Sequence, residues 1–176
     1  ELIFKNKNKS LRPTTSKVKS AIFSLIGPKG VKNQKILDLY AGTGNLGIEC
    51  LNRGAKFSVF IENNIKTFKM LKKKLEEKNY QNSSKVFCID AIKAVKKIDG
   101  PFDIIFADPP YSKNNISEVL MVAEQQNLFH DQSLIFYEHS KKQEPIKKIG
   151  NLINVKSKNY GDSSITIFKL FKNKEE

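Results

Sequence analysis

Arginine, histidine and cysteine each occur only twice in this chain of 176 residues. Cys50 and Cys88 fall in separate predicted elements with no CxxC spacing and no histidine at ligand spacing. That pattern indicates neither a metal centre nor a disulfide framework and fits small buried side chains in a reducing compartment, with a cytoplasmic location expected. His130 and His139 have no matched nucleophile or ligand partner and read as ordinary surface or edge histidines. No apolar run approaches the roughly 20 residues that cross a bilayer, so a membrane-spanning helix is excluded. The chain opens on Glu1 rather than Met and shows no signal-peptide pattern, so residues ahead of it are expected.

Lysine is what the chain has in excess. Lys and Arg number 31 against 18 acids, a net charge of +13 with pI about 9.6. Such a surface draws a polyanion such as nucleic acid. The scarcity of arginine beside frequent Asn and Ile can also arise from an A/T-rich coding bias, the blander of the two readings and the less favoured. The length is that of one domain with a proper core, expected as a monomer.

Residues 1–14 form a basic arm, with Lys5, Lys7, Lys9 and Arg12 unbalanced by any acid after Glu1. It reads as a phosphate clamp or as a solvated tail. Thr15 or Ser16 caps a predicted helix through Ile26, with Val18, Ile22, Leu25 and Ile26 on one face and Gly27-Pro28 as its stop.

Lys35 to Gly47, KILDLYAGTGNLG, then reads as a strand, a glycine turn and a helix start. Glycines at 42, 44 and 47 let the backbone approach a ligand, and the helix start offers free N–H groups. Literally this is GxGxxG, the dinucleotide fingerprint, with Glu62 about the right distance on. Asp38 argues against a pyrophosphate there and for a cationic ligand. S-adenosylmethionine carries a sulfonium and an ammonium, which a carboxylate beneath the loop suits.

FSVFIE, residues 57–62, is a second buried strand ending in an acid whose two oxygens can take both ribose hydroxyls. Ile65 to Lys78 is an amphipathic helix with Ile65, Phe68, Leu71 and Leu75 inward and a solvated lysine face. Val86 to Asp90 is a third strand; Asp90 is placed to receive an adenine amino group and the Ala91 N–H a ring nitrogen. Pro101 to Tyr111, PFDIIFADPPY, is the fourth strand. Its prolines stiffen the turn after Asp108 and remove N–H donors, leaving an acceptor-only corner suited to a reactive amino group, and Tyr111 adds a flat face for a base. A helix over 116–126, a fifth strand over 134–139 and a hairpin of 153–160 and 164–171 turning at Gly161-Asp162 complete a doubly wound α/β sheet with an antiparallel edge.

DLYAGTGNLGIE with Glu62, Asp90 and DPPY resembles the Rossmann-like class I S-adenosylmethionine-dependent methyltransferases, whose sheet is seven-stranded, doubly wound and mostly parallel with one antiparallel strand near the edge. LRPTTSKVKSAIF, RGA, FDIIFADPPY and KNYGDSSITIFK narrow the likeness to the RsmD family, which methylates N2 of a guanine in 16S ribosomal RNA. The resemblance runs from about Leu11 to Lys169. It implies a cofactor site at Asp38, Tyr40, Ala41, Gly42, Gly44, Glu62, Asn63, Asp90 and Ala91, and a reactive corner at Asp108, Pro109, Pro110 and Tyr111. It also implies RNA contacts at Arg12, Thr14 and Lys17, with 16S RNA or a 30S assembly particle as partner and no metal. Tyr40 and Thr43 stand where relatives often have Phe and Ser, and Lys often replaces Arg, which weakens bidentate phosphate contacts. The rival readings are a DNA adenine-N6 methyltransferase, a nicotinamide oxidoreductase and a non-catalytic RNA-binding module.

Overall fold

The computed structural model describes residues 16–27, 30–110 and 115–171. Within them lies one eight-stranded sheet in the order β3-β2-β1-β4-β5-β8-β7-β6. β1 (Lys35–Asp38), β2 (Phe57–Ile61), β3 (Ser84–Phe87), β4 (Phe102–Ala107) and β5 (Phe129–Ser140) are parallel. β8 (Ser163–Leu170) runs against both β5 and β7 (Leu152–Tyr160). The seven expected strands are present, and the eighth, β6 (Lys148–Ile149), pairs with only Leu152 and Ile153, too short to show as a run in sequence.

α1 (Ser16–Ile26), α2 (Asn45–Asn52) and α3 (Ile65–Glu77) cover one face; α4 (Ala91–Ala94) and α5 (Ile116–Gln125) cover the other. Leu37, Val59, Ile61 and Ile105 point to α4 and α5, while Ile36, Ile104 and Phe106 point to α1 and α2. Burial from both sides is why β1, β2 and β4 read as continuous apolar runs. An isolated helix as short as α1 is marginal in water. Burial of Val18, Ile22 and Ile26, roughly 1.5–3 kcal/mol for each such side chain, holds it on the sheet.

Four expectations shift. In α3 the inward face is Thr67, Leu71 and Leu75, with Ile65 53% exposed. The helix starts from the Asn64 cap, whose side chain accepts from Lys66 N and Thr67 N, and at 100° per residue Ile65 falls off the Leu71–Leu75 stripe. β3 ends at Phe87, where its pairing with Ile61 ends, so Asp90 is no strand residue but the cap of α4, accepting from Ile92 N at 3.1 Å. Cys88, just past that last pair, is exposed, while Cys50 is buried as expected. His139 is buried, because β8 continues the sheet beyond β5 and supplies Thr166, whose hydroxyl donates to Nε2 at 2.9 Å. Its Nδ1 donates to the Ser140 carbonyl, and burial holds its pKa below the ordinary histidine value. His130 is half-buried and bonded to Asp103 at 2.9 Å, which pins the start of β5 to β4.

Candidate active site

The strand order turns four separated acids into one row. Asp90 follows β3, Glu62 follows β2, Asp38 ends β1 and Asp108 follows β4, on consecutive strands of the sheet. At about 4.8 Å per strand the row spans roughly 14 Å. It crosses the point where the chain order reverses between β1 and β4, where open α/β sheets form their ligand crevice.

Asp38 is 4% exposed and lies on the α2 face, accepting from Gly47 N at 3.3 Å and also from the Tyr40 N–H. Burial pushes its carboxyl up to about 7, the charge of Glu62 adds to the rise, and the two N–H bonds oppose it. Gly47 makes this approach of helix to strand attainable. A Cβ there would stand 2.3 Å from Phe60 Cε1 and 2.9 Å from Ser58 Oγ. Gly47→Ala is therefore expected to push α2 off the sheet and cost about 1–3 kcal/mol. On a chain of this size that lowers the melting temperature by roughly 2–12 °C, measured by thermal denaturation. An unchanged melting curve would show that the contact is not tight.

The loop itself is fixed from three sides. Ala41 N donates to the Ile61 carbonyl at 2.9 Å and Gly44 N to the Ala41 carbonyl at 2.8 Å. Gly42 and Gly44 have φ of 53° and 77°, the left-handed region that favours glycine. A Cβ at Gly42 would meet nothing within 4 Å, so this side of the loop faces open space, whereas one at Gly44 would strike Leu71. Glu62 ties the loop to the start of α3, Oε2 accepting from Gly42 N at 2.9 Å and Oε1 from Asn64 N at 2.7 Å. Lys74 was expected on the solvated face of α3. Instead its Nζ donates to the Thr43 carbonyl and Asn45 Oδ1, both at 3.3 Å, and burial, then Lys78 and Lys19, lowers its pKa. Its only sequence signal is its place beside the Leu71–Leu75 stripe.

Between the outer acids lie two phenols. Tyr40 is raised above the ordinary tyrosine value by burial, then by Asp90 and Tyr137; Tyr137, by burial and then Asp108. The Tyr40 hydroxyl is buried with no hydrogen-bond partner among the described residues. Tyr137 stacks on His139, ring centroids 4.9 Å apart. Sequence reasoning named Tyr40 but missed Tyr137, because its place here depends on the register that sets it beside Ala107.

The other predicted site residues are distributed as follows. Ala41 and Ala91 are buried, Asn63 and Pro110 exposed, Asp108 and Pro109 intermediate. Lys17 is exposed in the first turn of α1. Arg12, Thr14 and Tyr111 lie outside the described residues. A cavity of about 260 Å³ between Phe23, Ile26 and Arg53 is at the opposite edge of the sheet and contains none of the acids. Among the described residues no His, Cys, Asp and Glu group is arranged to hold a metal ion, and no helix is long and apolar enough to cross a membrane.

A family profile described as "Conserved hypothetical protein 95" matches residues 2–169. Ribosomal RNA small subunit methyltransferase D of Buchnera aphidicola is 37% identical over 135 residues, which cover 76% of this chain and 70% of that one. The chain belongs to the RsmD family. Its fold agrees with a conserved hypothetical protein from Streptococcus pyogenes at a TM-score of 0.81 and 31% identity, over 88% of this chain and 96% of that one. An RNA methyltransferase from Salinibacter ruber, solved in complex with S-adenosyl-L-homocysteine, shares the fold at a TM-score of 0.70 and 14% identity, over 93% and 97% of the two chains.

Proposed function

We propose that this RsmD-family chain transfers a methyl group from S-adenosylmethionine to the exocyclic N2 of a guanine in 16S ribosomal RNA. The observation that carries the reading is the row of four carboxylates ending at a corner with two consecutive prolines.

The donor set fits the cofactor. A buried carboxylate poised near neutrality under the loop is a counter-charge for a cation. Glu62 uses one lone-pair site on each oxygen for backbone N–H groups and keeps the others for ribose hydroxyls. Asp90 and the Ala91 N–H take the adenine edge, and Tyr40, Ala41, Gly42, Gly44 and Asn63 line the remainder. Bound S-adenosylmethionine supplies the methyl as an electrophilic carbon on a sulfonium.

The chain's own work at the acceptor is positioning. A guanine amino nitrogen is a poor nucleophile because its lone pair is delocalised into the ring. The Asp108 carboxylate and the Pro109 carbonyl accept its two N–H bonds and favour a tetrahedral nitrogen, freeing the lone pair; as the nitrogen gains the methyl it releases one of these protons through Asp108, and Pro110 has no N–H to compete. Tyr111 stacks on the extruded base. In-line alignment supplies on the order of 7–11 kcal/mol, so neither a metal nor a covalent enzyme intermediate is needed. Arg12, Thr14 and Lys17 contact the RNA backbone.

Mapping labelled methyl groups on protein-free 16S RNA and on 30S particles tests the proposal. The expected product is N2-methylguanine at one position. Methyl incorporation into DNA adenine, or hydride transfer from a nicotinamide cofactor, would replace the reading with one of its rivals.

A further inference from the structure

β7 is an inner strand only over its first residues. β6 pairs with Leu152 and Ile153 and stops, and residues 155–159 are exposed, Val155 at 53%. The register places Lys156 beside Ile167 and Lys158 beside Ile165 on β8. Both isoleucines belong to the core under α1, so the two lysines lie on the α1 face of the sheet, where no helix covers them.

β7 also delivers these groups to the carboxyl edge. Ala107 pairs with Tyr137, Tyr137 with Thr166 and Thr166 with Ser157. In the next row Glu138 pairs with Ile165 and Ile165 with Lys158, and Asp108 follows Ala107 one residue past the last β4–β5 pair. Lys158 is thus three strand spacings, about 14 Å, from Asp108. Its Nζ lies 5.6 Å from the centre of the Tyr160 ring, which is half-buried against the core under α1, so a cation and an aromatic ring lie together at this end of the strand. The strand from Leu152 to Tyr160 contains no acid, and Asp162 in the turn is held by Lys141 at 3.2 Å. Lys156 and Lys158 make no ion pair among the described residues.

We propose that the exposed half of β7, through Lys156, Lys158 and Tyr160, is the surface on which the RNA strand flanking the target nucleotide docks. The two lysines neutralise phosphates and Tyr160 offers a stacking face, the pairing of groups that single-stranded RNA recognition uses. The surface lies on the same edge as the acceptor corner, so a strand bound there continues into it. This rests on the reading of the chain as an RNA methyltransferase. Lysine on an edge strand also prevents strand-to-strand aggregation, a role that demands no RNA at all.

The test compares Lys156→Glu/Lys158→Glu with Lys69→Glu/Lys72→Glu, an equal charge change at exposed positions of α3. Filter binding of in vitro transcribed 16S RNA is measured across a salt series, with calorimetry for S-adenosylmethionine. The β7 pair is expected to weaken RNA binding roughly tenfold or more near 0.1 M salt and to flatten the salt slope by about 1.5. Cofactor affinity stays at the wild-type value, and the α3 pair changes RNA binding less than about threefold. Equal losses from both pairs would make the effect one of total charge and overturn the proposal. So would unchanged RNA binding by the β7 pair, or a loss confined to duplex DNA. Wild-type protein that binds RNA through β7 yet transfers no methyl would sink the functional reading and leave the surface standing.

Discussion

Replacing Asp108 with alanine is expected to lower kcat by at least about a thousandfold while affinity for S-adenosylmethionine stays within a few fold. A thousandfold corresponds to about 4 kcal/mol of barrier. Loss of a charge-assisted hydrogen bond accounts for roughly 1.5–3 kcal/mol, and misalignment of the amine for the rest. The two effects separate because Asp108 follows β4, whereas Asp38 ends β1, Glu62 follows β2 and Asp90 caps α4. Asp108 lies one residue past the last β4–β5 pair, Ala107 with Tyr137, so the sheet register survives the substitution. Asp108→Asn keeps one carbonyl acceptor and should fall between alanine and wild type. Single-turnover methyl transfer with calorimetric cofactor binding reads both quantities. Full activity in the alanine variant would remove Asp108 from the chemistry.

The row itself was largely legible in sequence, for steric reasons. Gly42 and Gly44 adopt left-handed φ and Gly47 touches Phe60, so glycine is demanded at those spacings and the loop can be read directly. β1, β2 and β4 are mostly apolar because both of their faces are covered, and Gly161, with φ of 64°, marks the hairpin turn. What stayed hidden depends on tertiary register. Lys74 is one lysine among Lys72, Lys73 and Lys78, and only α3 packing on the loop brings its Nζ to the Thr43 carbonyl. Asp90 reads as a strand end because Cys88 and Ile89 precede it, yet β3 is an edge strand that stops at Phe87 and leaves the acid to cap α4. The polar run His130-Asp131-Gln132 looks like a loop before a strand. His130 N donates to Ser133 Oγ, whose hydroxyl donates to the Phe102 carbonyl, and these bonds extend β5 back to Phe129. His139 looks exposed until β8 is laid beside it.

Asp38→Asn is expected to do two opposite things: to reduce affinity for S-adenosylmethionine at least about a hundredfold and to stabilise the ligand-free protein above neutral pH. Both follow from one burial. An unfolded aspartate titrates near 3.8 and the folded one at about 7, so between these values the native state holds a proton that the unfolded state lacks. The stability that Asp38 contributes therefore falls as pH rises through that window. At about 1.4 kcal/mol per pH unit the loss reaches at most about 4 kcal/mol. Asparagine never carries the charge, and its carbonyl can still accept from Gly47 N, though its amide hydrogens oppose the Tyr40 N–H and take back part of the gain. The variant should melt several degrees above wild type at pH 8, and the gap should close or reverse at pH 5, where the wild-type carboxyl is protonated. The lost affinity has the same origin, since a cation bound over Asp38 favours the carboxylate and cannot recover that attraction from a neutral amide. Wild-type affinity should accordingly rise between about pH 6 and 8, with protons released on binding below neutrality. Calorimetry in two buffers of different ionisation enthalpy counts those protons. An asparagine variant that binds as tightly as wild type, or wild-type binding that releases no proton at pH 6, would mean that Asp38 is not the counter-charge beneath the loop.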